Sequence, residues 1–566
     1  MKLTRLTLPA MIAVALAVPA GQAGAGQIQL DDAAWGGAGT AETIQVGQIE
    51  HVARVPYAGG SDLEFVTREV TKLSNGATGD PVCETDASGD CVVDGDGNIV
   101  YQTEERDFAI AGVLSAAGRV IDITNPREPV QVATLPCRFY QNDIQLWGDY
   151  VLQGADGTGS CTRPDGTNAS STVGISDLSD PRNPFLVGRF TQSLGAHNLT
   201  VHPTQPVIYI SNSELVPAGT IHIWEFSNPA APTKVKDWTY AAALHPPHDV
   251  TFNAAGTRGY AAAISSTLIL NTEDPKNPAL ISVIPNEGIS ISHQSDPTPD
   301  GKFLLVSDEL GGGGAPTVSP GGPVHIYDIS VEQHPQKIGA FGNDTINAGA
   351  VSTSHVFRIN PDGYTMGIAW YQDGAGVIDY SDVRGLNAAG AGAAAGTGPR
   401  VVAWMKMPGA DVWSAKMWHE RHPGYLFAND IALGFDVFYL PELDNGFIGT
   451  GSIRGGQPGS SLAGGVAELE WAAANGCNGR PVSQGVDGWV YEDLPEGSGD
   501  GNHTIHVTVS SPAAAAADLT IWFYDEGCEL MSLTGAASGA PVPEGAAHAV
   551  VNAFTGGNVR IMTYVR

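Results

Sequence analysis

Val120-Ile121-Asp122-Ile123-Thr124-Asn125-Pro126 is an apolar run that ends on an acidic residue and is stopped by proline. It returns as Gly174-Ile175-Ser176-Asp177-Leu178-Ser179-Asp180-Pro181, as Ile223-Trp224-Glu225-Phe226-Ser227-Asn228-Pro229 and as Leu268-Ile269-Leu270-Asn271-Thr272-Glu273-Asp274-Pro275. Weaker copies are Val324-His325-Ile326-Tyr327-Asp328-Ile329-Ser330, Gly376-Val377-Ile378-Asp379-Tyr380-Ser381-Asp382 and Gly434-Phe435-Asp436-Val437-Phe438-Tyr439-Leu440. The proline removes a ladder donor and fixes φ, while the acid or amide before it can cap the turn. A further β-rich run follows, as in Pro184-Phe185-Leu186-Val187-Gly188-Arg189-Phe190. Units repeating every roughly 45 to 60 residues, with about four strands each, are the signature of a β-propeller.

A histidine recurs in phase with these tails. Ala196-His197-Asn198, Pro247-His248-Asp249, Ser292-His293-Gln294 and Ser354-His355-Val356 each open a strand-like run. The same slot holds Ser61 or Asn142 in the first two units and Trp413 or Ser414 in the last. The fold class expected is therefore all-β: a seven-bladed β-propeller over residues 26–442, followed by a small C-terminal β-sandwich domain. The last unit lacks an outer strand of its own. Ile44-Gln45-Val46-Gly47-Gln48-Ile49-Glu50-His51-Val52 is expected to supply it and close the ring, which removes exposed edges.

These tails, together with Phe303-Leu304-Leu305-Val306-Ser307-Asp308-Glu309-Leu310, Trp413-Ser414-Ala415 and Gly434-Phe435-Asp436-Val437-Phe438, resemble the LVIVD-repeat family over about residues 42–442. The resemblance implies an extracellular bacterial propeller with no one agreed reaction. Asn271, Glu225 and the turn Glu332-Gln333-His334-Pro335 depart from the pattern, which leaves the unit boundaries open.

Outside the repeat, residues 1–25 read as a signal peptide: Lys2 and Arg5 precede an apolar run too short to span a bilayer, and Ala23-Gly24-Ala25 offers a cleavage region. No later run of that character reaches membrane-spanning length. A secreted, extracellular or periplasmic monomer with no transmembrane segment is expected. The net charge of −32 argues against nucleic acid, whose phosphates need clustered Lys and Arg. Six cysteines in an exported chain favour disulfides, read here as local pairs: Cys83 with Cys91, Cys137 with Cys161, Cys477 with Cys528. The first pair lies in an acidic insertion, residues 71–106. There Asp94-Gly95-Asp96-Gly97-Asn98 echoes a calcium loop, but Ile99 stands where an EF-hand needs glycine. An acidic, disulfide-stapled loop is the plainer reading.

Residues 443–465 are Gly- and Ser-rich and read as a linker. From 466 to 566 the chain alternates with period two, as in Thr504-Ile505-His506-Val507-Thr508-Val509, which argues the sandwich. Asp518-Leu519-Thr520-Ile521-Trp522-Phe523-Tyr524-Asp525 and Pro543-Glu544-Gly545-Ala546 resemble the C-terminal sandwich domains of secreted bacterial enzymes, which implies an accessory role.

Inner strands line a propeller's channel, so His197, His248, His293 and His355 should face one another there. Neutral imidazoles suit Fe, Cu or Zn, with Asp249, Asp296 and Glu309 as acceptors behind the rings. A repeated residue is also what a structural position produces, each ring then bonding the next unit's backbone. Two functions follow. The family resemblance favours a binding or interaction protein that holds a surface glycan or another protein. The alternative is a metal-dependent extracellular enzyme, oxidoreductase-like, with the four-His site at its centre. Trp418-His419-Glu420-Arg421-His422 lacks the spacing of HExxH, and His245 with His248 shares its three-residue separation. No GxSxG elbow, Walker loop or dinucleotide fingerprint occurs in its required setting.

Overall fold

The computed structural model describes residues 43–211, 219–241, 244–299, 301–313, 321–342, 351–360, 365–380, 399–418, 421–441, 443, 447–453, 489–493, 504–509, 519–525, 530–535, 540–553 and 559–565. Their regular elements are β-strands, apart from one short 3-10 segment, Leu310–Gly313. No helix among them is long and apolar enough to cross a membrane.

Gly60–Thr71, Thr103–Val113, Ala116–Asp122 and Val130–Phe139 pair antiparallel in that order. Gln141–Trp147, Tyr150–Thr162, Asn168–Asp177 and Phe185–Phe190 repeat the pattern. The same meander runs from Asn198–Val201 to Thr233–Thr239, from Asp249–Phe252 to Ala279–Pro285, and from Ser292–Pro297 to Gln336–Phe341. It runs again from Phe357–Ile359 to Arg400–Lys406, with Ile44–Val46 added outside. The final ring sheet takes Val412–Met417, Tyr425–Asp430 and Gly434–Tyr439 from late in the chain and Glu50–Pro56 from near its start. The closing stretch is thus split: Glu50–Pro56 completes the last sheet as expected, while Ile44–Val46 extends the sheet before it.

Middle strands such as Val207–Ser211 and Thr365–Ala369 are buried at every residue, which is why they read as unbroken small or apolar runs and not as alternation. Each sheet packs on the next. Val207, Tyr209 and Ile223 meet Val250, Ala261 and Leu268, and Tyr260 and Ile269 meet Leu304 and Val306. The circuit closes where Phe427, Phe435 and Val437 meet Leu63, Phe65 and Ala109. First strands touch in succession and the last touches the first, so the sheets form a β-propeller.

The repeat tail has a local cause. Asp122, Asp177, Asn271 and Asp328 each accept the backbone N–H two residues on. Asn125, Asp180, Asn228 and Asp274 do the same one turn later. Glu225, a departure in sequence, still accepts from Ser227 at 3.0 Å. Such side-chain turns let the chain leave one strand and enter the next.

The Cys83–Cys91 and Cys137–Cys161 disulfides are formed. The second ties Val130–Phe139 to Tyr150–Thr162, joining the first two ring sheets. Asp94 accepts the backbone N–H groups of Asp96 and Asn98, both at 2.9 Å, and the side chain of Asn98, so the exposed 94–98 turn is closed by its own hydrogen bonds. Phe447–Ile453, inside the stretch read as a linker, is instead a strand: it pairs with Val559–Val565, which gives its backbone a ladder a free linker would not have. Val559–Val565 also pairs with Thr504–Val509, and a separate sheet joins Trp489–Asp493, His548–Ala553, Leu519–Tyr524 and Leu530–Gly535. Residues 1–25, Cys477 and Cys528 lie outside the described residues, as do His419 and Glu420.

Candidate metal centre

The recurring slot sits where each inner strand leaves its ladder. His197 and His248 immediately precede Asn198–Val201 and Asp249–Phe252, and His355 lies just before Phe357–Ile359. His293 falls in the register shift between Ser292 and Ser295, as Trp413 does between Val412 and Ser414. An interrupted ladder re-aims the side chain it carries. All four histidines are buried and form a continuous arc. Ring centroids lie 4.3 Å apart for His197 and His248, 4.2 Å for His248 and His293, and 4.1 Å for His293 and His355.

What the rings touch differs from one position of the arc to the next. Asn142, in the same slot, donates to the carbonyls of Val113 and Ala116 and accepts from Gln153, so it is a backbone brace. His355 bonds a neighbouring unit's backbone, its Nδ1 lying 2.6 Å from the Trp413 carbonyl, and the backbone of His293, in the next unit, reaches His248. The Nδ1 of His197 is 2.8 Å from Asp156 Oδ2. The Nδ1 of His293 has no hydrogen-bond partner among the described residues, and that of His248 has none of normal geometry, although the His293 backbone lies near enough to favour its charge weakly.

The Nε2 atoms converge. Those of His197 and His248 are hydrogen-bonded to each other at 2.8 Å. Two donors about 2.0–2.1 Å from one transition metal, at tetrahedral or square angles, stand about 2.8–3.4 Å apart. His248, His293 and Glu309 offer ligand atoms all within 4.8 Å of one another. Glu309 Oε2 lies 4.0 Å from His293 Nε2, and Oε1 lies 3.5 Å from His355 Nε2. Glu309 was expected behind the rings, but it stands among them as a possible ligand. Asp249 and Asp296, also expected behind the rings, make no such contact. Asp249 accepts from the Val250 backbone, and Asp296 accepts from Thr251 and Gln294. Asp156 and the Trp413 carbonyl fill that role for His197 and His355, and neither stood out in the sequence.

The electrostatics favour the ligand form of the arc. Burial, then the neighbouring imidazoles, pushes His248 and His293 well below the ordinary histidine value, and burial lowers His355 to about 3. All three stay neutral. His197 is the exception: burial opposes its charge most, but Asp156, Glu309 and Asp249 together outweigh that and raise it. Glu309 is raised to about 7 by burial, against the opposing hydrogen bond from Tyr371.

His248 and His293 also line a cavity of about 280 Å³. Its walls carry Asp62, Glu64, Asp143, Asp249, Lys416 and Arg358 from the inner strands. Lys416 bonds Asp62 at 2.9 Å and Glu64 at 3.0 Å, and Arg358 bonds Glu64 at 2.5 Å. Asp143 and Asp249 make no such bond, and burial with their acidic neighbours raises both against the weaker pull of Lys416, Asp249 to about 7. Two other histidines of the sequence reading lie apart: His422 pairs with Asp107 at 3.1 Å, and His245 bonds Ser265 in a loop.

Solved structures similar to this chain are β-propeller proteins. Hydrazine synthase from Kuenenia stuttgartiensis is 12% identical, with a TM-score of 0.44 over 58% of this chain and 91% of that one. The Swd1 propeller domain of Myceliophteria thermophila is 12% identical, with a TM-score of 0.41 over 59% and 93%. A hypothetical selenium-binding protein from Sulfolobus tokodaii is 14% identical, with a TM-score of 0.37 over 53% and 77%. No family model matches the chain, and no curated protein does.

Proposed function

We propose that the chain is an exported, seven-bladed propeller of LVIVD type that holds a transition metal in its channel and acts on a small molecule as a metal-dependent, oxidoreductase-like enzyme. Two β-sheets after residue 446 form its sandwich accessory domain in this reading. The observation that carries it is the cluster of His248, His293 and Glu309, flanked by the Nε2 atoms of His197 and His355. Two imidazoles with one carboxylate suit non-haem iron, and added imidazoles suit Cu or Zn as well. Bound there, such an ion would supply redox or Lewis-acid chemistry, while His248 and His293 would hold it at the cavity. The two formed disulfides support an oxidising compartment.

A cavity of about 280 Å³ beside the histidines has room for a small molecule. That favours the enzyme over the interaction protein the family resemblance suggested. Elemental analysis of the untagged, purified protein tests the reading. Near-stoichiometric Fe, Cu or Zn, lost in His248→Ala and His293→Ala variants that still fold, is the expected result. A metal-free protein that takes up none of these ions and binds glycans would overturn it.

A further inference from the structure

Glu309 is bonded by one group outside the histidine arc. The Tyr371 hydroxyl donates to Glu309 Oε1 at 2.5 Å. The other oxygen, Oε2, lies 4.0 Å from His293 Nε2, while Oε1 also lies 3.5 Å from His355 Nε2. The two oxygens of this carboxylate are therefore not equivalent.

Tyr371 is held in place by features that a filler side chain would not need. Its φ is +44°, a left-handed conformation that bulky residues adopt at a cost and that clusters at functional sites. Its backbone is tied in both directions to Val412, at 3.2 and 2.9 Å. Its ring packs 4.6 Å from that of His355. Gly313, in the segment that follows Glu309, has φ +67° and leaves the space the phenol occupies: a Cβ there would lie 2.3 Å from the hydroxyl oxygen. A left-handed tyrosine on one segment and a residue without a Cβ on another, far apart in sequence, thus meet at one hydroxyl.

We infer that Tyr371 is a positioning residue that anchors Oε1 of Glu309 on the His355 side of the arc, so that the carboxylate turns Oε2 to the metal beside His293. The inference rests on the metal reading above and adds to it how the carboxylate binds. A carboxylate freed from Tyr371 can swing or bind through both oxygens, which alters the coordination number and the affinity.

Co2+ alone serves as the probe, with the full chain in four forms: wild type, Tyr371→Phe, Glu309→Ala and the double variant. Removing a partner behind a ligand typically weakens metal binding by about 10–100-fold. Tyr371→Phe is expected to weaken Co2+ binding by that factor and to shift its visible d–d absorption. In the Glu309→Ala background the same substitution is expected to change neither, because Tyr371 acts through Glu309. Circular dichroism melts confirm that each form is folded. An equal effect of Tyr371→Phe in both backgrounds, or no effect in either, overturns the inference while leaving the metal site intact. Failure of the wild type to bind Co2+ overturns both.

Discussion

His197 offers its Nδ1 to Asp156, and His355 its Nδ1 to a carbonyl, so both present Nε2 to the same space as His248 and His293. That division of labour gives a test of rank. Glu309→Gln is expected to cut transition-metal affinity by more than about 100-fold, beyond the loss typical of a residue behind the ligands, whereas Asp156→Asn is expected to stay within about 10–100-fold. Isothermal titration with the metal found in the purified protein separates the two, and equal losses would return Glu309 to the outer layer. The four histidines were legible because a repeat carried them in one slot. Glu309 was legible as a nearby acceptor but not as a ligand, since its place depends on how the chain turns after Phe303–Asp308. Asp156 and Tyr371 were not legible at all. Asp156 meets His197 from 41 positions away, and no spacing rule connects them.

At the scale of elements, the inner strands carry buried carboxylates below the histidines, and their charge bears on stability. Asp249 has a folded value of about 7 against an ordinary 3.8, because burial and then Asp296 disfavour its charge. Between those values the folded chain keeps a proton that the unfolded chain has released. The contribution therefore favours the folded state fully below 3.8 and is lost as pH rises through 7. Asp249→Asn keeps an acceptor for the Val250 N–H and removes the titration. Its melting temperature is expected to fall less between pH 5 and 8 than that of the wild type, and parallel curves would assign the proton elsewhere. The closing strands offer a second test. Deleting residues 44–56 strips an outer strand from each of two sheets, and calorimetry is expected to show a melting temperature lower by at least about 5 °C. An unchanged melt would mean the ring does not depend on them. The turns at Asp122 and Asp177 were plain in the sequence because their chemistry is local, whereas the split of the closing segment between two sheets follows from the ring's geometry.

For the whole molecule, the repeat period announced the ring, because each sheet must bury both faces against neighbours. Residues 443–465 read as a linker from their Gly and Ser content, and within them Phe447–Ile453 is a strand through its pairing with Val559–Val565, a partner over 100 positions away that local composition does not announce. Cys137 and Cys161 are fully buried and join adjoining sheets, so replacing both with serine is expected to lower stability by about 3 kcal/mol in urea titrations. A loss near zero would show that packing alone holds those sheets together. Ring closure also sets an order in time. His51 and Asp436 meet across 385 positions, so a chain emerging from its N-terminus carries unpaired first strands until nearly the whole ring has been made. Late, long-range pairing of this kind is slow. It also leaves the edge of Glu50–Pro56 without its partner until Gly434–Tyr439 has been made, while the sheets between them can pair locally.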